Sequence, residues 1–97
     1  GQVQVYEYST SLGWQQLGTG INGLGNNGDL MGQSVSLNNT GNVVAIGAPG
    51  VSSSHGAVMI YERDTTATSG WSKIGNYIYP YGTSGNSDAQ SGFSVSL

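Results

Sequence analysis

Cysteine is absent from this 97-residue chain, histidine occurs once, and Arg63 and Lys73 are the only lysine or arginine side chains. Without a thiol or a second imidazole, cysteine–histidine metal clusters and Cys–His dyads are excluded, while nothing follows about the redox compartment. Two cations against five carboxylates, a net charge of −3, leave no basic stripe to neutralise phosphates. Nucleic acid and anionic membrane surfaces are therefore poor partners. No apolar run reaches transmembrane length, so no membrane insertion is expected. The sequence opens directly in a strand pattern without a charged and apolar leader, which places any signal peptide outside it or already removed. Charged residues make up only 7% of the chain and glycine occurs 17 times, so the helix formers are scarce and essentially no helix is predicted.

What the chain does have is an internal repeat. Gly1-Gln-Val-Gln-Val-Tyr-Glu7, Trp14-Gln-Gln-Leu-Gly18 and Gly32-Gln-Ser-Val-Ser-Leu37 return as Gly56-Ala-Val-Met-Ile-Tyr-Glu62, Trp71-Ser-Lys-Ile-Gly75 and Gly92-Phe-Ser-Val-Ser-Leu97. The offset grows from 55 residues at Tyr6 and Tyr61, through 57 at Trp14 and Trp71, to 60 at Ser34 and Ser94. Length differences thus fall in the loops, and the patterned segments match. A repeat of this size built from short strands points to a propeller or another stacked β array.

Gln2 to Tyr8 alternates as a strand, with Val3 and Val5 on one face and Gln4, Tyr6 and Tyr8 on the other; Ala57 to Arg63 repeats the pattern. A turn rich in Ser, Thr and Gly leads to a second strand from Trp14 or Trp71 to about Ile21 or Ile78. Long polar connections follow, each with one aspartate, Asp29 or Asp88, where a carboxylate can cap turn amides. Ser34 to Leu37 reads as a short strand, Asn38 to Asn42 as a hairpin turn, and Val43 to Pro49 as a strand apolar on both faces. With no helices to cover it, a strand buried on both sides requires sheet packed on sheet. The fold class expected is all-β, in four-stranded blades of β-propeller type, the chain spanning slightly less than two blades. Residues 1–33 hold the last two strands of one blade and its connecting loop. Residues 34–91 hold a complete blade and its loop, and 92–97 the first strand of the next.

Gly32 to Leu37, the Asn38 to Asn42 turn, Val44-Ala-Ile-Gly-Ala-Pro49 and Gly56-Ala-Val-Met-Ile-Tyr61 together resemble the FG-GAP repeat of integrin-α-type β-propellers, and Gly92-Phe93 supplies the aromatic in the second copy. The resemblance spans nearly the whole chain. It implies an extracellular or cell-surface adhesion or ligand-binding module, often with calcium in the hairpin loop between the first two strands. The corresponding loop here offers Asn38, Asn39, Thr40 and Asn42 but no carboxylate. Calcium takes six to eight oxygens and gains affinity from ligand charge, so this candidate loop reads first as a hairpin turn and no cofactor is expected.

Catalysis has little support. His55 has no counterpart in the second copy, and the carboxylate pairs Glu7 with Glu62 and Asp29 with Asp88 are repeat equivalents, one structural position used twice. Tyr77, Tyr79 and Tyr81 are the ligand candidates, as stacking platforms for carbohydrate beside Asn and Ser groups; the alternative is an outer strand. Trp14 and Trp71 are read as packing between blades. Asn38-Asn39-Thr40 fits an N-glycosylation acceptor, with Asn38 carrying the glycan. A piece of fewer than two blades leaves open edges and apolar faces, which copies of the chain or adjacent blades of a longer chain would cover. The function expected is a non-enzymatic extracellular structural or adhesive repeat that self-associates as a ring or filament or belongs to a tandem array; the alternatives are a carbohydrate-binding propeller and a calcium-supported adhesion propeller.

Overall fold

The computed structural model describes residues 1–23, 28–51, 55–79 and 91–97. The elements among them are, in chain order, the strands β1 (Gln2–Val3), β2 (Tyr6–Ser9), β3 (Gly13–Gln16), β4 (Ile21–Asn22), β5 (Ser34–Leu37), β6 (Val43–Ala48), β7 (Ala57–Arg63) and β8 (Trp71–Lys73). Every strand pair is antiparallel. β5 to β8 form one four-stranded sheet in sequence order, while β1 pairs with β4 and β2 with β3.

The strand expected over Gln2 to Tyr8 is interrupted, and so is its partner. Tyr6 lies opposite Gln16 and Val3 opposite Ile21, so three steps along one strand face five along the other. The second copy breaks at the same place, with Tyr61 opposite Lys73 and Val58 opposite Ile78. Both breaks carry the same bond, from the Leu17 amide to the Val5 carbonyl at 2.8 Å and from the Ile74 amide to the Ile60 carbonyl at 2.7 Å. The two extra residues act as a bulge that bends the hairpin. Glycines with positive φ recur in the same pairs, Gly13 with Gly70, Gly18 with Gly75 and Gly32 with Gly92. The repeat is therefore copied in backbone conformation as well as in side-chain pattern.

Strand geometry assigns the side chains to two faces. On the sheet β5–β8, Val44, Ile46, Ala48, Met59 and Trp71 join one apolar cluster with Val3, Val5 and Ile21 of the hairpin unit β1–β4. The rear face of the sheet thus covers the front face of the preceding hairpin. The sheet's own front face carries small residues in its inner strands, Ser34, Ser36, Ala45 and Gly47. The segment from Ser91 to Leu97 runs beside it: the Ser34 hydroxyl donates to the Gly92 carbonyl at 2.8 Å, and the Leu97 amide donates to the Ser36 hydroxyl at 3.0 Å. Ser94 to Leu97 matches β5 in sequence but forms no ladder, because β5 gains its ladder from β6 and no described segment of that type lies beside the second copy.

This two-faced packing makes equivalent positions unequal. Met59 is 1% exposed, whereas Gln4, its equivalent in the first copy, lies on the open rear face of the hairpin. Met59→Ala is expected to lower unfolding free energy by about 2–5 kcal/mol, as for other buried large-to-small changes. Gln4→Ala should change it by less than about 0.5 kcal/mol, as surface substitutions do. Urea unfolding of the two variants checks the contrast, and equal effects would contradict the assignment of faces.

Candidate functional site

The described residues gather polar and aromatic chemistry at three places: the β5–β6 turn, the tyrosines after β8, and the junction between the hairpin and the sheet. In the β5–β6 turn the side-chain oxygens of Asn38, Thr40 and Asn42 already have partners. Asn38 Oδ1 accepts from the Asn42 amide at 3.0 Å and the Val43 amide at 3.1 Å. Asn42 Oδ1 accepts from Asn38 Nδ2 and from the Thr40 hydroxyl, each at 2.7 Å. Among the candidate calcium ligands Asn38, Asn39, Thr40 and Asn42, a calcium ion would compete with these bonds at all but Asn39, and the turn offers no carboxylate in return. The same geometry bears on glycosylation, since Asn38 Nδ2, the atom that would carry the sugar, is one of the donors that hold the turn.

The tyrosine candidates separate. Tyr77 is half-buried, packs on the apolar cluster and lies under the Lys73 ammonium, 3.7 Å from its ring centroid. Burial, and secondarily Tyr77, raises the pKa of the neighbouring Tyr61 phenol. Tyr79 is 49% exposed and tilts against Tyr77 with ring centroids 6.0 Å apart. Tyr81 lies outside the described residues, as does Asp88. Asp29 is buried at 2% exposure, and its carboxylate accepts from the Met31 amide at 3.1 Å, the turn-capping role expected of it. The His55 carbonyl accepts from the Ser91 amide at 2.9 Å. Glu7 and Glu62 are both exposed on equivalent strands, and no cluster of three His, Cys, Asp or Glu suited to a metal occurs among the described residues.

At the junction, the Trp71 indole is 3% exposed and its Nε1 donates to the Leu17 carbonyl at 2.9 Å. The Thr19 amide donates to the Ser69 carbonyl at 2.8 Å. Gly18 lies between these bonds at φ 73°, where a Cβ would collide with the Ser69 carbonyl and sit 3.1 Å from the indole nitrogen. Arg63 holds the outer side of the ring, its guanidinium carbon 5.6 Å from the centroid and its Nη1 donating to the Gly70 carbonyl at 2.6 Å. Beside the junction, Val5, Tyr6, Glu7 and Leu17 face Leu37 and the 38–41 turn across a cavity of about 330 Å3. No family model, curated protein or solved structure matches the chain.

One ionisable group passed over in the sequence proves to organise the β7–β8 turn. Asp64 accepts from the hydroxyls of Ser72 and Thr66 and from the Thr66 amide at 3.0 Å. Its signal was Asp-x-Thr opening a turn, the spacing of an Asx-type cap. These bonds, that from Ser72 foremost, lower its pKa from 3.8 to about 2. A folded-state pKa below the unfolded one contributes stability above the unfolded value, and that contribution is lost as pH falls from there through about 2. Asp64→Asn should therefore flatten the loss of melting temperature over this acid range. Ser72→Ala should raise the Asp64 carboxyl pKa followed by NMR, and an unchanged pKa would contradict the assignment.

Proposed function

We propose that this chain is a non-enzymatic structural or adhesive repeat of β-propeller type, similar to FG-GAP repeats, working outside the cell or at its surface by stacking on repeats of its own kind. The observation that supports the reading best is the burial of the front face of one repeat by the rear face of the next, through a junction whose polar contacts end on backbone carbonyls. Every repeat then carries both a donor face and an acceptor face. In such arrays stability comes from each repeat and from each neighbour interface. The outermost faces remain apolar: Tyr8, Leu12 and Trp14 are exposed at one end and Ile74, Ile78 and Phe93 at the other. Patches of this kind mark interaction surfaces.

The reading is tested by extending the array. Leu97 is the repeat equivalent of Leu37, so a second copy of residues 38–97 appended after Leu97 continues the pattern in register. The extended chain should unfold in one transition at a higher urea midpoint than the original, with a steeper denaturant slope. Two separate transitions, or an unchanged midpoint, would contradict stacking as the organising interaction.

A second reading, carbohydrate binding, draws on the exposed ring of Tyr79 and on the cavity where Tyr6, Glu7, Asn39 and Thr40 meet. Aromatic faces beside amide and hydroxyl groups suit sugars. If soluble oligosaccharides bind in calorimetric titration, Tyr79→Ala should abolish the heat when the tyrosine platform is the site, and Tyr6→Ala when it is the cavity. A titration silent for the unaltered chain removes this reading.

A further inference from the structure

The interior junction has a vacant counterpart at each outer end. Trp14 is the repeat equivalent of Trp71 yet is 70% exposed, with Tyr8 standing edge-on to its ring at 5.3 Å in the place Arg63 takes over Trp71. At the opposite end, Ile74, Gly75 and Asn76 repeat Leu17, Gly18 and Thr19, and Gly75 holds φ 70° against 73° for Gly18. A Cβ on Gly18 would strike Ser69 and Trp71, whereas a Cβ on Gly75 would meet no described residue within 4 Å. The same contrast separates Gly70, whose Cβ would lie 2.8 Å from the Gly18 Cα, from Gly13, which is open. The plug and its socket are therefore both formed and, among the described residues, both unfilled.

We propose that a second copy of this chain fills them: Trp14 of one copy seats on the Ile74–Gly75–Asn76 turn of the next. Its Nε1 donates to the Ile74 carbonyl, the Asn76 amide donates to the Leu12 carbonyl, and Gly13 packs on Gly75. The proposal rests on the stacking reading above and continues its interior interface. Both hydrogen bonds end on main-chain oxygens, so Leu12 in place of Ser69 and Ile74 in place of Leu17 leave the pairing chemistry intact. The interface is heterologous, joining two different patches, and it propagates head to tail until it closes into a ring or grows as a filament.

The test uses the intact chain and two variants. Mass measured by light scattering should rise with concentration for the unaltered chain. Trp14→Ala removes the plug and should weaken association at least about 30-fold, the effect of losing a central aromatic anchor. Gly75→Asn blocks the socket with a residue that tolerates the left-handed conformation, so its circular dichroism should match that of the unaltered chain. Each variant alone should stay monomeric. Mixed in equal amounts they should form a dimer and nothing larger, because each retains the end the other lacks. An unaltered chain that is monomeric throughout, variants that associate normally, or a mixture that stays monomeric would each overturn the docking proposal. None of these outcomes alters the result for the appended repeat, so failure of the docking and failure of the stacking reading are separable.

Discussion

The seat of Trp71 on the Leu17–Gly18–Thr19 backbone is the contact on which the arrangement of this molecule depends. An indole is large and carries one donor, and burying it without a partner for that donor is costly. The Leu17 carbonyl supplies the partner only because the preceding hairpin bends at that residue. The bend in turn needs a left-handed residue at Gly18 with no Cβ between the two repeats. One hydrogen bond, one bulge and one glycine are thus mutually required. Together they set the angle at which the second repeat meets the first, and so decide which apolar side chains touch.

From that seat the division of residues into rear and front faces follows. The rear face of β5–β8 carries the bulky residues, because it must fill the space against Val3, Val5 and Ile21. The front face is built from Ser, Ala and Gly in its inner strands, where the Ser91 to Leu97 segment approaches closely enough for the Ser34 hydroxyl to reach the Gly92 carbonyl. The division thus matches each face to its neighbour, bulky side chains against the hairpin and small ones against the 91–97 segment. It also explains why equivalent positions differ between the copies. Met59 has a preceding repeat to bury it and Gln4 has none, so one is apolar and the other hydrogen-bonds with Gln2 and Tyr6 at the surface.

Much of this was legible in the residues. Period-two alternation located the strands, the Gly- and Asn-containing segments located the turns, and the two-sided apolar run from Val43 to Pro49 is met by strands on its rear face and by the 91–97 segment, which forms no ladder, on its front. The interruptions at Val5 and Leu17 were not legible, because alternation continues through a bulge when the extra residues, Gly18 and its neighbour, are themselves small or polar. Nor was the divergence of Trp14 from Trp71, since burial depends on which repeat lies alongside and not on the local pattern. In the Asn38 to Asn42 turn, composition showed amide oxygens, whereas only geometry shows that those of Asn38 and Asn42 are engaged by the turn's own donors. Tyr77 and Tyr79 likewise share a segment, yet one lies beneath Lys73 and the other faces solvent.

A junction made of backbone carbonyls and glycines also accounts for the unusual composition. Were repeats matched through charged pairs, each interface would need its own complementary set, and drift at one side chain would break the match. Here the donor is an indole or a peptide amide and the acceptor is a peptide oxygen, neither of which changes when Ser69 is exchanged for Leu12 or Leu17 for Ile74. Residues that supply only backbone groups to the joint are free to vary, while the indole and the glycine at the bulge are not. Low charge, abundant glycine and tolerance of uneven loops, seen in the offset growing from 55 to 60 residues, are what such a joint requires. What the two repeats share is the shape of the bulge, which the chain carries twice, filled at Gly18 and open at Gly75.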